Sequence, residues 1–228
     1  MRVPGWISTP RTAAAVDLIE RPDDGDNGVE GNSRLTAATG MVLLVLLAVE
    51  GVTILGVRQM LTLHVVVGSL LIGPALLKSG STVYRFARYY GGAPAYRRKG
   101  PPPLPLRVIG PLVILSTLAL LGTGVALILT GTAGSGLLLT AHQTSFWIWV
   151  ALMSVHVLGH VWEAAVLSWR DLRGSLRGPG GRSRRWRLIS IVLALLIGVG
   201  AATALLPSTS SWTVRPAGHS GAPFGGRP

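Results

Sequence analysis

The segment Leu137–Trp169, LLLTAHQTSFWIWVALMSVHVLGHVWEAAVLSW, decides how the rest of the chain is read. It holds one acid, Glu163, no lysine or arginine, and three histidines, His142, His156 and His160. A spanning helix needs roughly 20 apolar residues, so a run of this length crosses a bilayer with room to tilt or to begin outside the hydrocarbon. From His142, the residues Ser145, Trp149, His156, His160 and Glu163 follow at offsets of 3, 7, 14, 18 and 21. All fall on one face of a helix with 3.6 residues per turn. A face with three histidines and a glutamate is very unfavourable against lipid, so it is expected to point into a helical bundle.

Four more apolar segments flank this one. They run about Leu35–Val57, broken only by Glu50, then Met60–Leu77, Leu106–Thr130 and Leu188–Leu206, the last without any charge. The 228 residues are 49% hydrophobic and 13% charged, with mean hydropathy +0.50. A soluble domain carries about 25% charge. The expected fold is therefore all-α and integral to a membrane. Two helical hairpins form a four-helix bundle core, and a fifth helix follows at the C-terminal side. Residues 1–34 hold six of the nine acids among Gly, Pro and Asn and read as a disordered tail. Residues 207–228 read the same way, and no apolar segment before residue 35 resembles a cleavable signal. Cysteine is absent, which excludes disulfides, thiolate metal sites and iron–sulfur clusters held by this chain.

The net charge of +12 would suit nucleic acid, but its placement suits a membrane. Lys78, Arg85, Arg88, Arg97, Arg98, Lys99 and Arg107 lie between the second and third spans. Arg170, Arg173, Arg177, Arg182, Arg184, Arg185 and Arg187 lie between the fourth and fifth. Together they are 14 of the 21 basic residues, while the opposite loops hold only Arg58. The positive-inside rule puts both basic loops in the cytoplasm, with the N-terminus inside and the C-terminus outside. The expected location is a bacterial cytoplasmic membrane, and nucleic acid is not needed to explain the charge. These loops also meet anionic headgroups, and the run Tyr84-Arg85-Phe86-Ala87-Arg88-Tyr89-Tyr90 is the candidate contact for a docked partner. Pro101-Pro102-Pro103-Leu104-Pro105 reads as a stiff spacer into the third span.

The second and fourth spans begin alike, with Leu61-Thr62-Leu63-His64 and Leu139-Thr140-Ala141-His142. Fourteen residues on, His64 leads to Lys78 and His142 leads to His156. Gly51-Val52 and Gly124-Val125 add a weaker match between the preceding spans. This pseudo-repeat places polar residues at two levels, about 21 Å apart at 1.5 Å per residue. Intramembrane histidines are functional candidates by default, and bundles build cofactor sites from facing helices.

Haem iron held by two imidazoles needs one from each side of the ring. His64 and His142, on different helices, are the candidate axial and metal-ligating pair. Gly68, one turn after His64, leaves room for a macrocycle, and Thr62 and Thr140 are candidates to orient the rings. Glu50 is expected to hydrogen-bond across helices to a histidine Nδ1. At the other level Lys78 faces His156, a poor pair for iron. There, His156 or His160 binds a second haem with an unusual partner, or they bond propionates or a quinone. The remaining option is a polar network of His156, His160 and Glu163 with Lys78; Glu163 can also pair with Arg170. One haem b is expected ahead of two. His219 has no such warrant.

The segment His142-Gln143-Thr144-Ser145-Phe146 with His156-Val157-Leu158-Gly159-His160 resembles the histidine helix of small bacterial b-type membrane cytochromes. These include the cytochrome b subunits of hydrogenases and formate dehydrogenases. The pattern His64-x-x-x-Gly68, Lys78, Tyr84-Arg85-Phe86, Arg88-Tyr89-Tyr90 and Gly100-Pro101-Pro102 is closer to an uncharacterised bacterial membrane family. The resemblance covers about residues 60–165. It implies electron transfer between a quinone or redox partner and an acceptor, as a subunit of an oxidoreductase. Lys78 departs from the dihaem pattern. Two other functions compete: a haem-free transporter or proton relay along the His142, His156, His160 and Glu163 stripe, and a cofactor-free membrane anchor.

Overall fold

The computed structural model describes residues 24–100, 104–132, 135–173 and 179–213. Among these residues the elements are all helical. In chain order they are α1 (Asp24–Leu55), α2 (Leu61–Tyr90), α3 (Pro94–Lys99), α4 (Leu104–Thr130), α5 (Ser135–Arg173) and α6 (Pro179–Leu205). A 3₁₀ turn (Leu206–Thr209) and the single turn α7 (Ser210–Thr213) follow.

Five of them, α1, α2, α4, α5 and α6, are long and apolar enough to cross a membrane. A helix satisfies its own backbone, so β-branched Val and Ile are tolerated where no water can replace a missing hydrogen bond. Large apolar side chains face outward along these helices: Leu55 is 89% exposed, Leu137 82% and Leu158 82%. A water-soluble monomer rarely leaves such area open, and a bilayer covers it.

The helices pack in a definite order. α1 packs on α2 and on α5, α4 packs on α5 and touches α2, and α6 lies along α2. Neither α2 with α5 nor α1 with α4 makes more than marginal contact among the described residues. Each hairpin closes locally. Met60 N–H donates to the Gly56 carbonyl at 2.9 Å and His64 N–H to the Met60 carbonyl at 2.8 Å, so His64 opens α2 straight from the turn. Gly131 ends α4 at φ +64°, a left-handed value that suits glycine, with its N–H on the Leu127 carbonyl at 3.1 Å.

The α2–α6 contact is a backbone contact. A Cβ at Gly73 would run into the Ala194 carbonyl, and one at Gly198 would lie 2.6 Å from the Leu70 carbonyl. Small residues let membrane helices approach this way. Pro74, fully buried in α2, has no N–H to offer Leu70. The carbonyl left without its helical partner is the one that Gly198 approaches.

Five sequence expectations are corrected by the helix ends. The tail expected over 1–34 is helical from Asp24, and its end is tied to α2: Asn32 Nδ2 donates to the Ser81 carbonyl at 3.2 Å and the Thr36 and Ser81 hydroxyls lie 2.9 Å apart. Lys78 and the Tyr84–Tyr90 run, expected between spans, belong to α2, which continues to the Gly91-Gly92 pair. The basic stretch from Arg182 to Arg187 lies inside α6, and the spacer is helical from Leu104, residues 101–103 being outside the described residues. Residues 207–213, expected as tail, form the 3₁₀ turn and α7. The physical reason is common to all five. An apolar run measures hydrocarbon thickness, whereas a helix continues into the headgroup region until Gly, Pro or a turn stops it. Residues 1–23 and 214–228, with His219, are outside the described residues.

Replacing Gly73 or Gly198 by Val is expected to push α6 off α2 and to cost about 1–3 kcal/mol or more, as overpacking does. Thermal unfolding of the detergent-solubilised protein, with Gly200→Val as an open-space control, checks this.

Candidate functional site

Each hairpin fixes one histidine by the same device. In the first, Glu50 and Thr53 sit near the end of α1, 8% and 0% exposed, and His64 lies just inside α2. His64 Nδ1 donates to Glu50 Oε1 at 2.8 Å. The Thr53 hydroxyl donates to the Glu50 carbonyl at 2.7 Å, with Glu50 Oε2 at 3.1 Å, and its oxygen is 3.1 Å from His64 Nδ1. A carboxylate in an apolar helix is costly unless paired, and this contact pairs it.

In the second hairpin, Thr123 of α4 holds His142 of α5. Its hydroxyl donates to the Ala119 carbonyl at 2.8 Å, with the Leu120 carbonyl at 3.0 Å, and its oxygen lies 3.1 Å from His142 Nδ1. The ring rests on Gly124, where a Cβ would stand 3.2 Å from His142 Cε1. Farther along the same pair of helices, Trp149 Nε1 donates to Thr117 Oγ1 at 2.9 Å.

These contacts set the tautomers. A threonine has one hydroxyl proton, and in both hairpins a backbone carbonyl takes it. The oxygen then meets the imidazole as an acceptor, so Nδ1 carries the ring proton and Nε2 keeps its lone pair. His142 lies within electrostatic range of both His64 and Glu50, although their helices α2 and α5 do not pack closely.

The threonines that do this were not the ones expected. Thr140 spends its hydroxyl on the Gly136 carbonyl at 3.0 Å, and Thr62 is exposed. The signal for Thr53 and Thr123 was their placement, each about as far before its hairpin turn as its histidine is after it. Glu50 also reaches Gly68 of α2, where a Cβ would lie 3.3 Å from Oε1.

At the other level, Lys78 Nζ donates to the Thr36 carbonyl at 3.0 Å, packed over Gly40. His156 lies within electrostatic range of His160 and Lys78. The two histidine rings are 4.9 Å apart and tilted by 58° on one helix face. The side chains of Glu163 and Arg170 are outside the described ones. Among the described residues, no group of three or more His, Cys, Asp or Glu could hold a metal ion. The upper pair offers two imidazoles, which suits a metal whose other donors come from a macrocycle.

No known family matches this chain, and no curated protein or solved structure matches it either.

The Glu50–His64 contact makes a stability prediction. Glu50→Leu leaves the half-buried imidazole N–H with Thr53 alone and is expected to destabilise by about 1–3 kcal/mol, while Glu50→Gln keeps an acceptor and costs less. Melting temperatures of the two variants in one detergent check the order.

Proposed function

We propose that this chain is a bacterial membrane b-type cytochrome that binds haem b between His64 and His142 and transfers electrons between a quinone or redox partner and an acceptor. One observation carries the reading. Two histidines on helices that do not pack on each other both have Nδ1 anchored by a threonine of the preceding helix, so both present Nε2 as the coordinating atom.

The packing order supports the setting. α1, α2, α4 and α5 contact one another around a ring, with α2 and α5 on one diagonal. In this reading they form a four-helix bundle whose core separates the two histidine helices, and α6 sits outside against α2. Cofactor sites in bundles are built from facing helices in this way.

When bound, haem supplies a one-electron iron couple. The chain's part is to hold and tune. Thr53 and Thr123 fix the ring orientations. The Glu50 acceptor on His64 Nδ1 stands where His142 has only the Thr123 hydroxyl, so the two rings would be held by different partners. The apolar faces exclude water around the pair.

Orientation follows from charge. The end of α2, the start of α6 and the start of α1 lie at one end of the hairpins, and the arginines cluster there. The positive-inside rule makes that end cytoplasmic and places His64 and His142 toward the outer face.

The protein purified from haem-replete cells is expected to show a reduced-minus-oxidised cytochrome b spectrum. His64→Ala and His142→Ala should each abolish it. Thr123→Val, which keeps the ligand and removes its anchor, should weaken haem affinity by about 10–100-fold. Absence of the spectrum in the wild type overturns the reading.

A further inference from the structure

The seam between α2 and α6 is closed at one end and open at the other. The helices run antiparallel: Gly198 approaches Leu70, Ala194 approaches Gly73, and by the same step Ser190 comes to the level of Leu77. Toward that last pair the seam opens into a groove of about 300 Å³, with Leu76, Leu77, Leu193 and Ile197 among its lining. Ser190 is the one polar side chain in this lining. Its hydroxyl donates to the Trp186 carbonyl at 2.9 Å, so the groove has no side-chain donor left for a polar ligand. What it fits is a hydrocarbon chain.

The open end lies at a definite depth. Leu61 to Leu77 rise about 26 Å as a helix, against about 30 Å of hydrocarbon. Leu77 and Ser190 therefore stand close to one surface of the bilayer, and the next turn of each helix enters the headgroups. On α2 the groove face continues to Gly80, whose Cβ would meet nothing, and then to Tyr84. On α6 it continues to Trp186, which is 62% exposed. Tyrosine and tryptophan are enriched at this level of a membrane. The charge around the mouth has one sign. Arg85 follows Tyr84 on α2, Arg184, Arg185 and Arg187 flank Trp186 on α6, and neither helix contains an acid.

We propose that the groove between α2 and α6 binds one anionic phospholipid from the leaflet at the arginine-rich end. One acyl chain lies along Leu76, Leu77, Leu193 and Ile197. The phosphate stays at the mouth, where the Trp186 indole N–H can donate to it and the surrounding arginines supply the opposite charge. Basic pockets between spanning helices recognise acidic headgroups in this manner. Two features favour a phospholipid over a quinone: the spent Ser190 hydroxyl leaves no donor for a ring carbonyl, and a neutral ring gains little from the arginines. The inference rests on the membrane setting alone and stands whether or not haem lies between His64 and His142.

The test uses the full-length protein in nanodiscs of equal phosphatidylcholine and phosphatidylglycerol. Native mass spectrometry counts the lipids that stay on the chain when the disc is removed. The wild type should keep one phosphatidylglycerol. Gly80→Leu, which blocks the mouth, and Ser190→Leu, which fills the groove, should lose it. Gly122→Leu, placed in open space on α4, should keep it. A wild type that keeps no lipid overturns the proposal, as does equal retention in both filled variants. Equal retention of the two lipids overturns the anionic assignment. A quinone mass in place of the lipid, on protein taken directly from its native membrane, overturns the phospholipid. Should a filled variant fail to fold, Trp186→Leu at its exposed position decides, with loss of the preference for phosphatidylglycerol expected and an unchanged preference against the proposal.

Discussion

A carboxylate within an apolar helix is tolerated only where something nearby compensates for its lost hydration. Glu50 meets that condition through His64 at 2.8 Å, and much of the structure is arranged around this contact. It ties the end of α1 to the start of α2, so the first hairpin closes with a buried polar clasp as well as with apolar packing. Thr53 sits inside the same contact and is wholly buried. Taking a single member away leaves a desolvated group without its partner, which is why such clasps are costly to break even where their net contribution is modest. The second hairpin has a neutral version of the clasp, Thr123 on His142. The two imidazoles thus share an orientation device and differ in charge environment.

α2 has a second constraint on its opposite side. Val65, Val67, Leu71 and Ala75 are buried together with Gly73 and Pro74, so this helix is enclosed more fully than its neighbours. α6 achieves that enclosure by backbone approach at Gly73 and Gly198. Lipid tails are as apolar as leucine, so helices in a bilayer associate through close fit and not through hydrophobic exclusion. A helix that must hold one imidazole in register gains from being fixed on the face away from it. The role of the fifth span in this architecture is to brace α2.

The sequence already showed the five spans, and Glu50 as a partner for a histidine. These readings rest on composition and on helical period, which survive without coordinates. Helix ends were less legible. Lys78 was placed beyond the second span, though it is a mid-helix residue, because charge marks the edge of hydrocarbon and not the end of hydrogen bonding. The anchoring threonines were missed because threonine is common in such helices, and only pairing across a turn distinguishes Thr53 and Thr123 from Thr62 and Thr140. The approach of Glu50 to Gly68 was not legible either, because it depends on how α1 rotates against α2, which no single-helix pattern contains.

Polar groups recur at two levels on three helices. Thr39 and Thr53, both wholly buried on α1, are spaced by the same 14 residues as His64 and Lys78 on α2 and His142 and His156 on α5. Between the levels, α5 carries Trp149, seven residues from each histidine, and its indole N–H is spent on Thr117. That bond consumes a polar group offered midway along the α5 stripe. The two levels are then chemically separate. One is built from imidazoles with their own acid and hydroxyl anchors. The other is a basic corner in which Thr39 bonds only its own backbone, at the Leu35 carbonyl. Equal spacing therefore does not make equal sites: the upper level sets a carboxylic side chain, Glu50, against one imidazole, and at the lower level Lys78 bonds a backbone carbonyl.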